Sequence, residues 1–334
     1  MFKIEDAKKK LLLCSLISMI YISSIFINGC IKESSEQEHT MNREDSIPKD
    51  AIKITPEMDV FPPIIQREEW EMPTPLKGAV NTAGAEDSPF IIPDGKNFYF
   101  FFTPDVDVPA NEQLLDGVTG VWWSTKTDEG WTDPKRVILN EDVSLDGAVF
   151  VRGNTMWFAS VRAGNYGEVD IYVAKFKNGK WIDVENAGIQ LNKEYDVGEL
   201  HIAPDGQTMY CGKLGSGEKK DIYILEKIGD NWSEPVALPE PVNTNEYNED
   251  QPFITPDGNE LWFTGESRLG YPGPAIFRSI KQPNGTWGVP EEIISQFAGE
   301  PTLDENGNIY FVHHFFSADM KMIEADIYVA TYLK

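Results

Sequence analysis

Cysteine is scarce in this sequence, with three in 334 residues: Cys14, Cys30 and Cys211. Only Cys211 falls in the body of the chain, so no internal disulfide framework is available to it. Histidine numbers four, and no Cys/His cluster has the spacing of a structural zinc site. Positive charge is also short: 29 Lys and Arg stand against 54 Asp and Glu, a formal charge of −25. A surface of that sign repels phosphate backbones, and no basic stripe offsets it, which excludes nucleic acid as a partner. Phosphate-cradling glycine loops, dinucleotide fingerprints and Ser-His-Asp spacings are missing as well. The acidity suits a solvated extracytoplasmic protein and would attract cationic ligands or Ca²⁺.

What the chain does have begins at its N-terminus. Lys8, Lys9 and Lys10 precede an apolar run from Leu11 to Ile27 that ends in Asn28-Gly29-Cys30. A basic stretch followed by an apolar one is an export signal. Its ending resembles a lipobox, which would make Cys30 the lipidated residue of a membrane lipoprotein. The alternative is an uncleaved single helix, at the short edge of what crosses a bilayer. Either way residues 1–30 are an anchor, and the remainder faces outward from the cell membrane. Residues 31–55, acidic and poor in apolar side chains, read as a flexible tether, leaving 56–334 as the folded domain.

That domain is repetitive. Pro93-Asp94-Gly95, Pro204-Asp205-Gly206 and Pro256-Asp257-Gly258 each separate a short apolar strand from an aromatic one. Asp-Gly at such a place is a hairpin turn. Degenerate copies stand at Arg152-Gly153-Asn154 and Asn306-Gly307-Asn308. The strand that follows carries Tyr99-Phe100, Trp157-Phe158, Tyr210-Cys211, Trp262-Phe263 or Tyr310-Phe311, apolar on both faces and so covered on both. A third strand reads Asp170-Ile171-Tyr172-Val173, with copies from Asp221 and Asp326 and looser ones at Val121 and Ala275. A fourth starts at Trp131, Trp181, Trp232 and Trp287, and a proline soon after three of these marks it as an edge strand.

Four strands per repeat in radial arrangement make an all-β propeller, and five inner strands give it five blades. The fifth repeat ends after its third strand, while Trp70-Glu71-Met72-Pro73 ahead of the first repeat has the missing Trp-then-proline pattern. The N-terminal segment is therefore expected to complete the last blade and close the ring, removing exposed edges. Trp131, Trp181 and Trp232 recur at spacings of 50 and 51 residues, longer than a minimal blade of ~40–45. The excess lies in loops between second and third strands. Over residues 70–334 these motifs resemble the TolB-like, WD-repeat-like propeller family. That resemblance implies a fold used for protein contact, ligand binding or scaffolding.

At the start of each inner strand stands a carboxylate: Asp87, Asp146, Glu199, Asp250 and Glu300. All five should converge on one mouth of the central channel. The second strands end at that mouth with Arg162, Lys213, Arg268 and the pair His313-His314. In one reading each acid pairs with its own blade's basic residue or caps backbone N–H groups, pinning a loop. In another the mouth binds a polar ligand, a protein or a cation such as Ca²⁺, for which carboxylates are the right donors. In a third, Asp87, Asp146 and Glu199 stand in the order of the base, auxiliary acid and general acid that a resemblance to five-bladed arabinanase-type glycoside hydrolases implies. His201, beside Glu199, reads as a satisfied core residue. Tyr166, Tyr271, Phe315 and Phe316 could supply an aromatic rim. The main reading is a membrane-anchored binding or scaffolding module acting at the acidic mouth, and the alternative is a glycoside hydrolase there.

Overall fold

The computed structural model describes residues 42–113, 116–139, 144–214 and 219–333. Apart from three helical segments of at most five residues, its regular elements are strands. The antiparallel pairings group most of them into five units laid down in sequence order, the first and fifth joined by one parallel bridge between Ala85 and Ala325 into a nine-stranded sheet, and the architecture is a β-propeller. The inner strands are Ala85–Ile91, Leu145–Arg152, Leu200–Ile202, Glu249–Ile254 and Ala298–Leu303. Second strands run Asn97–Thr103, Thr155–Val161, Thr208–Leu214, Glu260–Glu266 and Ile309–Phe316.

The turn motif works as its composition suggests. Gly95, Gly206 and Gly258 have φ of 70°, 71° and 72°, and Gly153 and Gly307 in the degenerate copies are also positive. In each full copy the Asp side chain accepts from the backbone N–H two residues on: Lys96, Gln207 and Asn259, at 2.9, 2.7 and 3.1 Å. The aromatic strands that follow are packed on both faces, with Phe98, Phe100, Phe158, Trp262, Phe263 and Phe311 all buried.

Closure comes from the N-terminal side. Thr74–Pro75 pairs with Met322–Ala330, the third strand of the fifth unit, placing Thr74 opposite Val329. Trp70 is buried, bridges to Tyr332 and donates its indole N–H to the Gly307 carbonyl at 2.9 Å. Further upstream, Ile64–Ile65 adds a fifth strand to the fourth unit, with Ile64 opposite Ser295.

The flexible tether does not extend as far as expected. Residues 42–55 are held to the propeller at a few points, with most of their side chains still exposed. Arg43, in the 3₁₀ turn Arg43–Ser46, is buried and donates to Glu86 Oε1 at 2.9 Å, with further bonds to the Ala79 and Val80 carbonyls. Lys53 bonds both Glu324 and Asp326, and the Ile54 N–H donates to Glu324 at 2.9 Å. Composition missed these contacts because two cations and two isolated apolar side chains, Ile47 and Ile54, hold the segment, with no continuous apolar face to announce it. Among the described residues no helix is long and apolar enough to cross a membrane. The expected anchor, Cys30 and tether residues 31–41 lie outside the described residues.

Candidate functional site at the acidic channel mouth

The five acids do not form one ring. The first, second, fourth and fifth inner strands each carry a register shift near the mouth, and Ser88, Ala148, Gln251 and Glu300 there take φ of 45° to 53°. Side chains lead to the same level of the channel from Ser88, Ala148, Glu199, Gln251 and Glu300. One residue earlier the strands carry Asp87, Gly147, Gly198, Asp250 and Gly299, and one earlier again Glu86, Asp146, Val197, Glu249 and Ala298. Successive side chains on a strand point to opposite sides, so these three layers meet different surroundings.

The layer farthest from the channel is held by arginines. Glu86 is bound by Arg43 and by the Thr82 N–H and hydroxyl at 2.9 and 2.7 Å. Asp146 accepts from Arg162 Nη2 at 2.5 Å and from Ser160 Oγ at 2.6 Å. Glu249 accepts from Arg268 Nη2 at 2.9 Å and from Thr244 Oγ1 at 2.9 Å. Each guanidinium also lies against an aromatic ring, 4.6 Å from Tyr172 for Arg162 and 4.6 Å from Phe277 for Arg268. The pairing expected for every blade is thus realised for Asp146, while Arg268 serves Glu249 rather than Asp250. Lys213 instead donates to the Tyr195 carbonyl at 2.6 Å.

The two layers nearer the channel bring together Asp87, Glu199, Asp250 and Glu300, of which Glu199 and Glu300 have no ion-pair partner among the described residues. His314 Nε2 lies 3.7 Å from Asp87, and the Ser88 N–H donates to Asp87 at 2.8 Å. Gln251 Nε2 donates to Glu300 Oε1 at 2.8 Å. Lys220 Nζ lies 2.5 Å from Asp250, whose carboxylate packs so closely on Gly212 that any Cβ there would collide with it. Burial, then the charges of Asp250 and Asp87, push the Glu199 carboxyl up to about 8. Burial and the charges of Asp87 and Glu199 likewise raise Glu300 well above its usual range. Burial works the same way on Asp87, but the bonds from His314 and Ser88 together with the His314 charge outweigh it and keep this carboxyl below its usual value. Closely grouped acids cannot all ionise, so the mouth holds ionised and protonated carboxyls side by side.

Beside the channel opens a groove of about 680 Å³, lined by Lys220, Asp250, Gln251, Ser267 and Tyr271 among others. Gln251, Lys220 and Tyr271 complete the site together with the acids. Only Tyr271 had been singled out in the sequence, since amide and lysine side chains there carry no repeat signature. The other histidine of the pair, His313, is buried elsewhere: its Nε2 lies 2.9 Å from Asp59 and its Nδ1 3.2 Å from the Phe297 carbonyl. Phe315 is buried and Phe316 stacks on Phe297 at 4.3 Å, so neither forms a free rim, whereas Tyr166 is exposed. Deeper in, His201 closes the channel between Phe150 at 4.4 Å and Phe253 at 4.6 Å. Burial lowers its pKa to about 3, and its Nδ1 accepts from the Ile254 N–H at 3.4 Å, as a core histidine should. Among the described residues no group of three or more His, Cys, Asp or Glu is arranged to hold a metal ion.

No family model matches this sequence, and no curated protein does. Solved structures do match in fold. A thermostable family-43 glycoside hydrolase aligns with a TM-score of 0.52 at 15% identity, over 78% of this chain and 94% of that one. The catalytic domain of the GH62 α-L-arabinofuranosidase of Coprinopsis cinerea aligns at 0.50 and 11%, over 79% and 96%. TolB from Acinetobacter baumannii aligns at 0.35 and 17%, over 75% of this chain and 54% of that one. At such identities the likeness to the two hydrolases supports a β-propeller fold and goes no further.

Proposed function

We propose that this chain is an outward-facing, membrane-anchored propeller that binds a polar, hydroxyl-rich ligand of the carbohydrate class at its acidic mouth. The observation that carries the reading is the division of the acids. Glu86, Asp146 and Glu249 are tied to arginines, while Glu199 and Glu300 line the channel, Asp250 lines the groove beside it with Lys220, and Asp87 sits next to them with His314. Protonated carboxyls donate and ionised ones accept, so Glu199 and Glu300 beside Asp87 offer both halves of a hydroxyl's bonding, and Gln251 and Lys220 add donors. Tyr271 supplies a ring face of the kind on which sugars stack. The anchor expected in residues 1–30 would hold this mouth outside the cell.

Titration calorimetry with a panel of neutral oligosaccharides tests the proposal. Binding is expected, and Glu300→Gln together with Asp87→Asn should weaken it about tenfold or more, as removal of charge-assisted hydrogen bonds does. Failure of every oligosaccharide, with Ca²⁺ or a protein partner binding at the same residues instead, would overturn it.

A second reading is favoured by the opposite displacement of two neighbouring carboxyls. Asp87 is held ionised and Glu199 protonated, the base-and-acid pair that glycoside hydrolysis needs. In this version Asp146, tied to Arg162, has no part in the chemistry. Turnover abolished by Glu199→Ala would establish it, and full turnover in that variant would refute it.

A further inference from the structure

The channel has a second end. Beyond the His201 plug, on the side of the Pro-Asp-Gly turns, lies a cavity of about 250 Å³. Its walls are Phe90, Phe150, Ile202 and Phe253, all buried, and three turn prolines, Pro93, Pro204 and Pro256, stand around it. No carboxylate of the candidate site lines it, and the layer of His201 with Phe90, Phe150 and Phe253 separates it from the acidic mouth. A cavity of about 150 Å³ with comparable apolar walls stays dry and takes up benzene. This one therefore has room for a single aromatic ring with a short substituent.

Two polar groups border it, and both are donors. Arg152 is exposed, gives one N–H to the Pro204 carbonyl at 2.7 Å and has no carboxylate within salt-bridge distance among the described residues. His201, 8% exposed, uses Nδ1 to accept from the Ile254 N–H. Its Nε2 then carries the proton and has no hydrogen-bond partner among the described residues, although the ring lines this cavity and the channel. An apolar cavity whose lining side chains supply donors and no free acceptor selects a ligand with an apolar body and an acceptor head.

We infer that the turn-side cavity is a binding site for a small aromatic carboxylate, its ring among Phe90, Phe150 and Phe253 and its carboxylate on Arg152. The match is one of charge as well as shape: an unpaired guanidinium on a chain of net charge −25 is the one cation at this cavity. Nothing in the inference depends on the acidic mouth or on the ligand that binds there.

Phenylacetate is the probe, titrated into the full chain by calorimetry, with benzyl alcohol as its neutral counterpart. Arg152 is on the surface, so Arg152→Ala should fold. It is expected to weaken phenylacetate about tenfold, the loss of a charge-assisted hydrogen bond, while leaving benzyl alcohol unchanged. Glu300→Gln, at the other end of the channel, should alter neither. Equal affinity for phenylacetate in the wild type and Arg152→Ala would overturn the carboxylate assignment, and no heat with either probe at millimolar concentration would overturn the site. Ile202→Trp, which fills the cavity, should abolish binding of both probes in a protein whose melting is still cooperative. Retained binding in that variant would also count against the site.

Discussion

Arg43 offers a sharp test of how the N-terminal segment is joined to the ring. Its side chain and that of Glu86 are 4% and 0% exposed, and they bond at 2.9 Å. Arg43→Ala leaves Glu86 buried without its cation. Breaking a buried pair from one side costs about 3–5 kcal/mol. The two carbonyls that Arg43 also serves, of Ala79 and Val80, lose donors as well. At roughly 2–4 °C per kcal/mol the melting temperature should fall by about 6–20 °C. Equilibrium urea unfolding followed by tryptophan fluorescence would give the free energy directly. Burial already raises Glu86 to about 7 against the opposing pull of Arg43, and without that arginine its native pKa rises further. The native state then holds a proton that the unfolded chain releases, so the defect should be smaller at pH 5 than at pH 8. Arg43→Ala/Glu86→Gln should recover part of the loss at pH 8. A flexible tether predicts something different: a change within about 0.5 kcal/mol at either pH. That result would refute the packed segment.

Two further outcomes follow from the same contacts. Trp70→Ala removes a buried ring and the indole bond to Gly307 at the seam, and should cost about 3–5 kcal/mol by urea unfolding. Glu199, at about 8 in the native state and 4.5 in the unfolded chain, is protonated at acid pH in both. Across that window the native state keeps the proton and the unfolded state does not, so stability falls as pH rises from about 4.5 to about 8. Glu199→Gln should flatten that part of a melting-temperature profile, and an unchanged slope would count against the buried, protonated acid.

The propeller was legible because its signals are local and repeated. A turn such as Pro204-Asp205-Gly206 announces itself in three residues, and Trp70-Glu71-Met72-Pro73 could be matched to the outer-strand pattern by eye. The site was legible only in outline. Asp87, Asp146, Glu199, Asp250 and Glu300 looked equivalent because each opens an inner strand. A bulge displaces a side chain by one position, and one position turns it to the other side. Asp146 and Glu249 stand two residues before the positive-φ residue of their strands and Asp250 only one, so Arg162 takes Asp146 while Arg268 takes Glu249 rather than Asp250. The clue lay in the glycines at 147, 198 and 299, which mark one level across three units, with Asp87 and Asp250 in the other two. The packing of residues 42–55 had no local signal at all. Arg43 meets Glu86 across 43 residues and Lys53 meets Asp326 across 273, and single-sequence reasoning has no access to such pairs.

Carboxyl-carbon NMR of Asp- and Glu-labelled protein, assigned with single Asn or Gln variants and titrated from pH 3 to pH 9, addresses the division of the acids most directly. The structure predicts Asp87 titrating below ordinary aspartates, with Glu199 and Glu300 titrating far above ordinary glutamates, Glu199 near 8. Glu199 and Glu300 titrating together near 4.5, with Asp87 at an ordinary aspartate value, would contradict it.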